Sequence, residues 1–167
     1  MVLAFGKERI EELRLAEKTD NADVYKTMRN SLLLSLIKRD IPFERITYKS
    51  LRKYEAWYLA RKNNTGKANS WNGLAVNLRT LRALFNEAIK RKLVSSDAYP
   101  FKEYSIKHEK TRKRAISEDA IIKMKAVVPQ TARQQRAKDY FLMSFYLMGI
   151  SFIDLAFLQP ENIINGR

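Results

Sequence analysis

The sequence predicts a mainly α-helical protein, and three observations carry that prediction. Apolar residues recur at three- and four-residue spacing through most of the chain, the pattern of helices with one buried face. Alternating strand patterns are scarce. Ser, Thr and Asp stand just ahead of several periodic stretches, where a side-chain oxygen can cap free helix amides.

In chain order, a first helix is expected over about residues 3–18, with Leu3, Ile10, Leu13 and Leu15 apolar among charges. Asp20 can cap a second over about 21–39, whose stripe is Val24, Tyr25, Met28, Leu32 and Leu36. Pro42 ends that segment. Thr47 can cap a third helix carrying Leu51, Tyr54, Tyr58 and Leu59. A turn at Asn63–Gly66 precedes the longest helix, which starts at Asn69 or Ser70 and runs to about Lys92. Its core stripe is Leu74, Leu78, Leu81, Phe85 and Ala88.

Val94 to Pro100 is turn-like, and residues 101–114 lack a helical period, so this stretch is expected to link two domains, 1–100 and 115–167. Ser117 can cap a further helix that Pro129 ends; another covers about 131–147, Gly149 breaks it, and a short helix follows over about 151–158, stopped by Pro160. Ile163 and Ile164 can open a strand, and Asn165-Gly166 is a strong hairpin-turn dipeptide. This end suggests a chain cut inside a second domain, mostly helical up to that point.

The 167 residues make one large or two small domains, enough to bury a real core. The formal net charge of +14, from 32 basic and 18 acidic residues, exceeds what solubility needs and points to an anionic partner. There is no cysteine, so no disulfide frame or thiolate site, and the single histidine, His108, rules out a multi-histidine metal centre. Charge enters at Lys7, too early for a secretory signal core. The longest uncharged apolar run, Tyr140 to Ile153, has 14 residues against the roughly 20 that a membrane helix needs. A soluble, cytoplasmic protein with no membrane association is expected.

The positive charge is not spread evenly. Residues 61–114 hold 14 basic and 4 acidic side chains, whereas 1–60 and 115–167 are close to balanced. A charge run is usually a solvated face, but one concentrated on a helix and its tether favours nucleic acid. On the long helix Asn72, Val76, Arg79 and Asn86 lie away from the core stripe, with Asn77 and Arg82 at its margins. Asn and Arg make bidentate contacts to adenine and guanine edges in the major groove. The second helix offers Lys26, Arg29 and Asn30, and the loop before the long helix offers Lys67. In the linker, Lys107, Lys110, Arg112, Lys113 and Arg114 are candidate phosphate contacts.

Four stretches carry a resemblance. NSWNGLAVNLRTLRALFNEAIKRKLV, from Asn69, resembles the last helix of the core-binding domain of tyrosine recombinases, the phage integrase family, and looks most like integrases of Bacteroides-type mobile elements. NADVYKTMRNSLLLSL, from Asn21, is similar to that domain's second helix. KRAISEDAIIKM, from Lys113, looks like the tether and first helix of the catalytic domain, and KDYFLMSFYLMGISFIDLAFLQPENI, from Lys138, like the helices after it. The resemblance implies a four- or five-helix SAM-like bundle, then the start of an α/β catalytic domain. It also implies a bacterial protein that clamps double-stranded DNA and can assemble as a homo-oligomer on it.

In that family a tyrosine attacks a phosphodiester, the covalent bond conserves the energy, and no metal or nucleotide cofactor is needed. Arginines, a lysine and a histidine-containing motif stabilise the transition-state charge. The family's first arginine matches Ser151, between Gly149 and Asp154, and a serine cannot act as a bidentate cation. The remaining catalytic motifs have no counterpart in residues 1–167, and none of the eight tyrosines stands in the nucleophile's context. This chain alone is therefore expected not to cleave DNA. Two other functions remain open: a catalytically inactive DNA-binding regulator on the same fold, and a helical protein-interaction module with an incidental basic face. RNA binding is less favoured, because no interleaved aromatic stacking platform is present.

Overall fold

Helix starts follow the side chains that can satisfy free backbone amides, and helix ends follow backbone geometry. The computed structural model describes residues 1–37, 39–62, 66–111 and 115–162. Among them run seven α-helices: α1 Val2–Leu15, α2 Thr19–Ser35, α3 Tyr48–Ala60, α4 Trp71–Lys90, α5 Glu118–Ala126, α6 Ala132–Tyr146 and α7 Phe152–Ala156. No strand occurs among the described residues, only an isolated bridge between Lys62 and Ala68. The expected strand at Ile163 and Ile164, and the Asn165-Gly166 turn after it, lie outside the described residues.

Thr47 caps α3 in a reciprocal capping box with Ser50. Ser70, Ser117, Thr131 and Ser151 each accept a backbone N–H from the third residue beyond, starting α4, α5, α6 and α7. The cap expected at Asp20 is a correction. The helix already begins at Thr19 without a side-chain cap, and Asp20 sits in its first turn, where a carboxylate complements the helix dipole.

The C-termini correct the sequence reading more widely. Glu17, Ile37, Lys92 and Met148, none of them glycine, adopt left-handed backbone just past α1, α2, α4 and α6. After α1, Glu17 N–H reaches Arg14 O at 3.0 Å and Lys18 N–H reaches Leu13 O at 2.9 Å. The same pair of bonds follows α4, from Lys92 to Ile89 and Leu93 to Ala88. It recurs after α6, from Met148 to Phe145 and Gly149 to Ser144. This is the Schellman arrangement, which satisfies terminal carbonyls. It stops α1 and α4 earlier than the expected ends at Lys18 and Lys92, and α2, with Ile37 left-handed and its N–H on Leu34 O, ends before the expected Arg39.

The chain forms two compact units, Met1–Thr111 and Arg112–Arg167. In the first, α2 packs against α1, α3 and α4, and α3 also packs on α4. Leu74, Leu78, Leu81, Leu84, Phe85 and Ala88 of α4 are all buried, Phe85 completely. Each buried leucine or phenylalanine among them contributes about 1.5–3 kcal/mol by leaving water. Phe85 meets Phe43 edge-to-face at 4.9 Å and Phe101 at 6.3 Å. Phe101 and Tyr104 are buried in this core. The non-helical stretch therefore does not begin as a free linker at residue 101. Its aromatic side chains anchor it, and the first unit extends to Thr111.

The second unit is different in kind. Among its described residues only Ile121 and Leu155 are buried, and α6 buries none. Tyr140, Met143, Phe145, Tyr146 and Leu147 are exposed. Lys138 Nζ holds the end of α5 by donating to Lys125 O and Val127 O, both at 2.7 Å, and Tyr140 packs edge-to-face on Phe152. Among the described residues no helix is long and apolar enough to cross a membrane.

Candidate nucleic-acid interface

The inward face of α4 fixes where its outward face lies. With the leucine stripe buried, Val76, Arg79, Arg82 and Asn86 are exposed. Arg79 Nε donates to Ala75 O at 3.1 Å, which lays its stem along the helix. Among the described residues neither Arg79 nor Arg82 forms an ion pair.

The chain after the core anchors returns along this helix. Tyr104 Oη donates to the Glu55 carboxylate, and Glu55, itself buried, also pairs with Arg52 Nη1 at 2.6 Å. Burial, then the bond to Glu55, pushes the Tyr104 phenol up from its ordinary value. Farther on, the Asn72 amide brackets one residue. Its Nδ2 donates to Glu109 O at 3.1 Å, and its Oδ1 accepts Glu109 N–H at 2.9 Å. Lys107 Nζ lies 5.6 Å from the centroid of the Trp71 ring. Residues 104–109 thus form a strap against α4. Between strap and helix is an open notch of about 290 Å³, lined by Ala75, Arg79, Arg82, Tyr104, Ser105, Ile106 and His108.

The residues expected to contact nucleic acid separate into groups. Lys26, Asn30, Lys67, Arg79, Arg82, Lys107 and Lys110 are exposed. Arg29 is half-buried, and its Nε donates to Leu3 O at 2.9 Å, tying it to α1. Asn72 is occupied in holding the strap. Asn77 is a correction: it is 3% exposed and donates to Tyr54 Oη at 3.2 Å, so it faces the core. Tyr54 Oη also pairs with Ser31 Oγ at 2.7 Å, joining α2, α3 and α4, and burial pushes this phenol up to about 12. Arg112, Lys113 and Arg114 lie outside the described residues.

Sequence reasoning did not find Ser105 and His108 as lining residues. They have no helical period, and their placement depends on the strap's side-chain anchors. Ser151, at the position matching the family arginine, caps α7: its Oγ accepts Asp154 N–H at 3.1 Å and donates to Asp154 Oδ2 at 2.6 Å.

The other end of α4 has opposite electrostatics. Arg91, its C-cap residue, binds Glu12 at 2.6 Å, Glu87 at 2.8 Å and Glu8 at 3.1 Å, and its guanidinium lies over the Phe5 ring. Arg91 and Arg9 together hold the Glu12 carboxyl down at about 2.

No curated protein and no solved structure matches the chain. A sequence model of the phage integrase SAM-like domain matches residues 1–124, which cover the whole first unit and most of α5. A helical bundle with an exposed basic face suits that assignment, and the chain belongs to the phage integrase SAM-like domain family.

Proposed function

We propose that residues 1–111 are the DNA-gripping domain of a site-specific tyrosine recombinase, and that residues 115–167 begin its catalytic domain. The carrying observation is the exposed basic surface formed by the outward face of α4 and the strap, with Arg79, Arg82, Lys107 and Lys110 exposed and, among the described residues, no ion pair at Arg79 or Arg82. Lys26 and Asn30 of α2 extend the reading to a second helix, and the family match supports a role in DNA integration and recombination. Duplex DNA is the partner, phosphate contacts supply affinity, and exposed polar groups on α2 and α4 supply base discrimination. No cofactor enters this role, and assembly into a homo-oligomer takes place on the DNA.

Strand cleavage is not assigned to residues 1–167. Ser151 is committed to capping α7, where the family chemistry calls for a cation. The apolar exposure of α6 supports the view that the second unit belongs to a larger folded body, since contiguous apolar patches mark surfaces that pack.

Titration of labelled duplex over a salt series tests the proposal. Affinity should fall steeply with salt, each phosphate neutralised adding a slope of about 0.9 to log Kd against log salt. An affinity absent for every duplex, or independent of salt, would favour the protein-interaction reading instead.

A further inference from the structure

We propose that the notch between α4 and the strap is a seat for one backbone phosphate of duplex DNA, held by Arg79, Arg82 and His108. The inference rests on the DNA-binding reading above and adds the groups that do the holding. Arg79 and Arg82 are three residues apart, so they share one face of α4 and repel each other there. Among the described residues no carboxylate lines the notch to relieve that repulsion. An anion placed between them does so.

The chemistry favours phosphate. With Nε engaged by Ala75 O, the Arg79 guanidinium keeps its Nη donors for an incoming group. A guanidinium edge matches two oxygens of a phosphate, which a lysine point charge cannot do. His108 and Ser105, from the strap, bring further donors from the opposite wall. The volume of about 290 Å³ accommodates a phosphodiester group with water around it. Shape then separates phosphate from base. A phosphate projects from the duplex and can enter a recess, whereas a base edge lies inside a groove and must be met by a protruding side chain.

The seat is also pre-formed. Asn72 fixes Glu109 on one side of His108, and the buried Tyr104–Glu55 bond fixes the other. Little ordering is left for the moment of binding, which favours affinity.

The test is a salt-series titration of one duplex with the full chain, comparing wild type with R79A, R82A and the R79A/R82A double variant, and with H108A at a single salt concentration. Arg79, Arg82 and His108 are exposed, so thermal melting should be unchanged and serves as the folding control. If the three share one phosphate, the double variant lowers the salt slope by about 0.9, neither single variant lowers it by more, and the loss is equal on unrelated duplexes. H108A then weakens binding on every duplex. A drop of about 1.8 in the double variant would mean two separate phosphates and overturn the seat. An unchanged slope with lost sequence discrimination would mean base contacts and overturn it too. Wild type binding with normal salt dependence while all variants match it sinks the seat alone. Wild type without salt-dependent affinity sinks the DNA-binding reading and the seat with it.

Discussion

Arg79 and Arg91 sit on or just beyond the same helix, carry the same charge, and have opposite surroundings. Arg91 is surrounded by the carboxylates of Glu8, Glu12 and Glu87, drawn from α1 and α4. Arg79 has a backbone carbonyl of its own helix and an open notch. The first is a fastener that joins two helices. The second is a cation with no carboxylate partner among the described residues. Net charge cannot separate them, because both add one to the total of +14. What separates them is whether the fold supplies carboxylates within reach.

The most damaging way to break the contrast is to remove the scaffold beneath both ends. Phe85 is fully buried and touches Phe43, Tyr99 and Phe101. Phe85→Ala should cost about 3–5 kcal/mol in a urea unfolding titration, by lost transfer free energy and the cavity left behind. Next is the tether. Lys110→Ala together with Lys113→Ala should weaken DNA affinity equally on all sequences and lower the salt slope by about 1.8. An unchanged affinity would remove the tether from the footprint.

Acid should then act on the Arg91 end. The Glu12 carboxyl is depressed in the folded state, by Arg91 first and then Arg9, from 4.5 to about 2. A depressed carboxyl contributes stability that is present above its unfolded value and lost as pH falls through the folded one. The thermal midpoint should therefore decline between pH 4.5 and about 2. Arg91→Ala should lower the midpoint at neutral pH and flatten that decline; an equally steep decline would detach Glu12 from this role. The smallest effect is expected at the strap. Asn72→Ala loses two hydrogen bonds at an exposed site, about 1 kcal/mol or less. Its clearer readout is faster tryptic cleavage at Lys107 and Lys110.

Much of the helical framework was legible because periodicity and caps are local signals. Thr47, Ser70 and Ser117 start helices as expected from their place ahead of apolar stripes, and α6 begins close to the expected residue 131. Helix ends were less legible because the sequence places no proline or glycine stop at the ends of α1 and α4. Here Glu17, Ile37 and Lys92 take the left-handed position themselves. The strap was misjudged for a related reason. Phe101, Tyr104 and Asn72 hold it through tertiary contacts that no spacing rule encodes. Asn77 illustrates the limit of sorting a helix by face: a polar residue at the margin turned inward because Tyr54 offered it a partner. The exposed arginines were legible as a basic face, but the notch they share with His108 was not, since the strap forms its second wall.

The central claim is that unpaired cations on α4 serve DNA while paired ones serve the fold. Salt-series titration of duplex DNA with R79A/R82A and R91A, side by side, tests it most directly. The slope should be lowered by about 0.9 in the first and stay at the wild-type value in the second. Equal losses in both variants, or a loss confined to R91A, would contradict it.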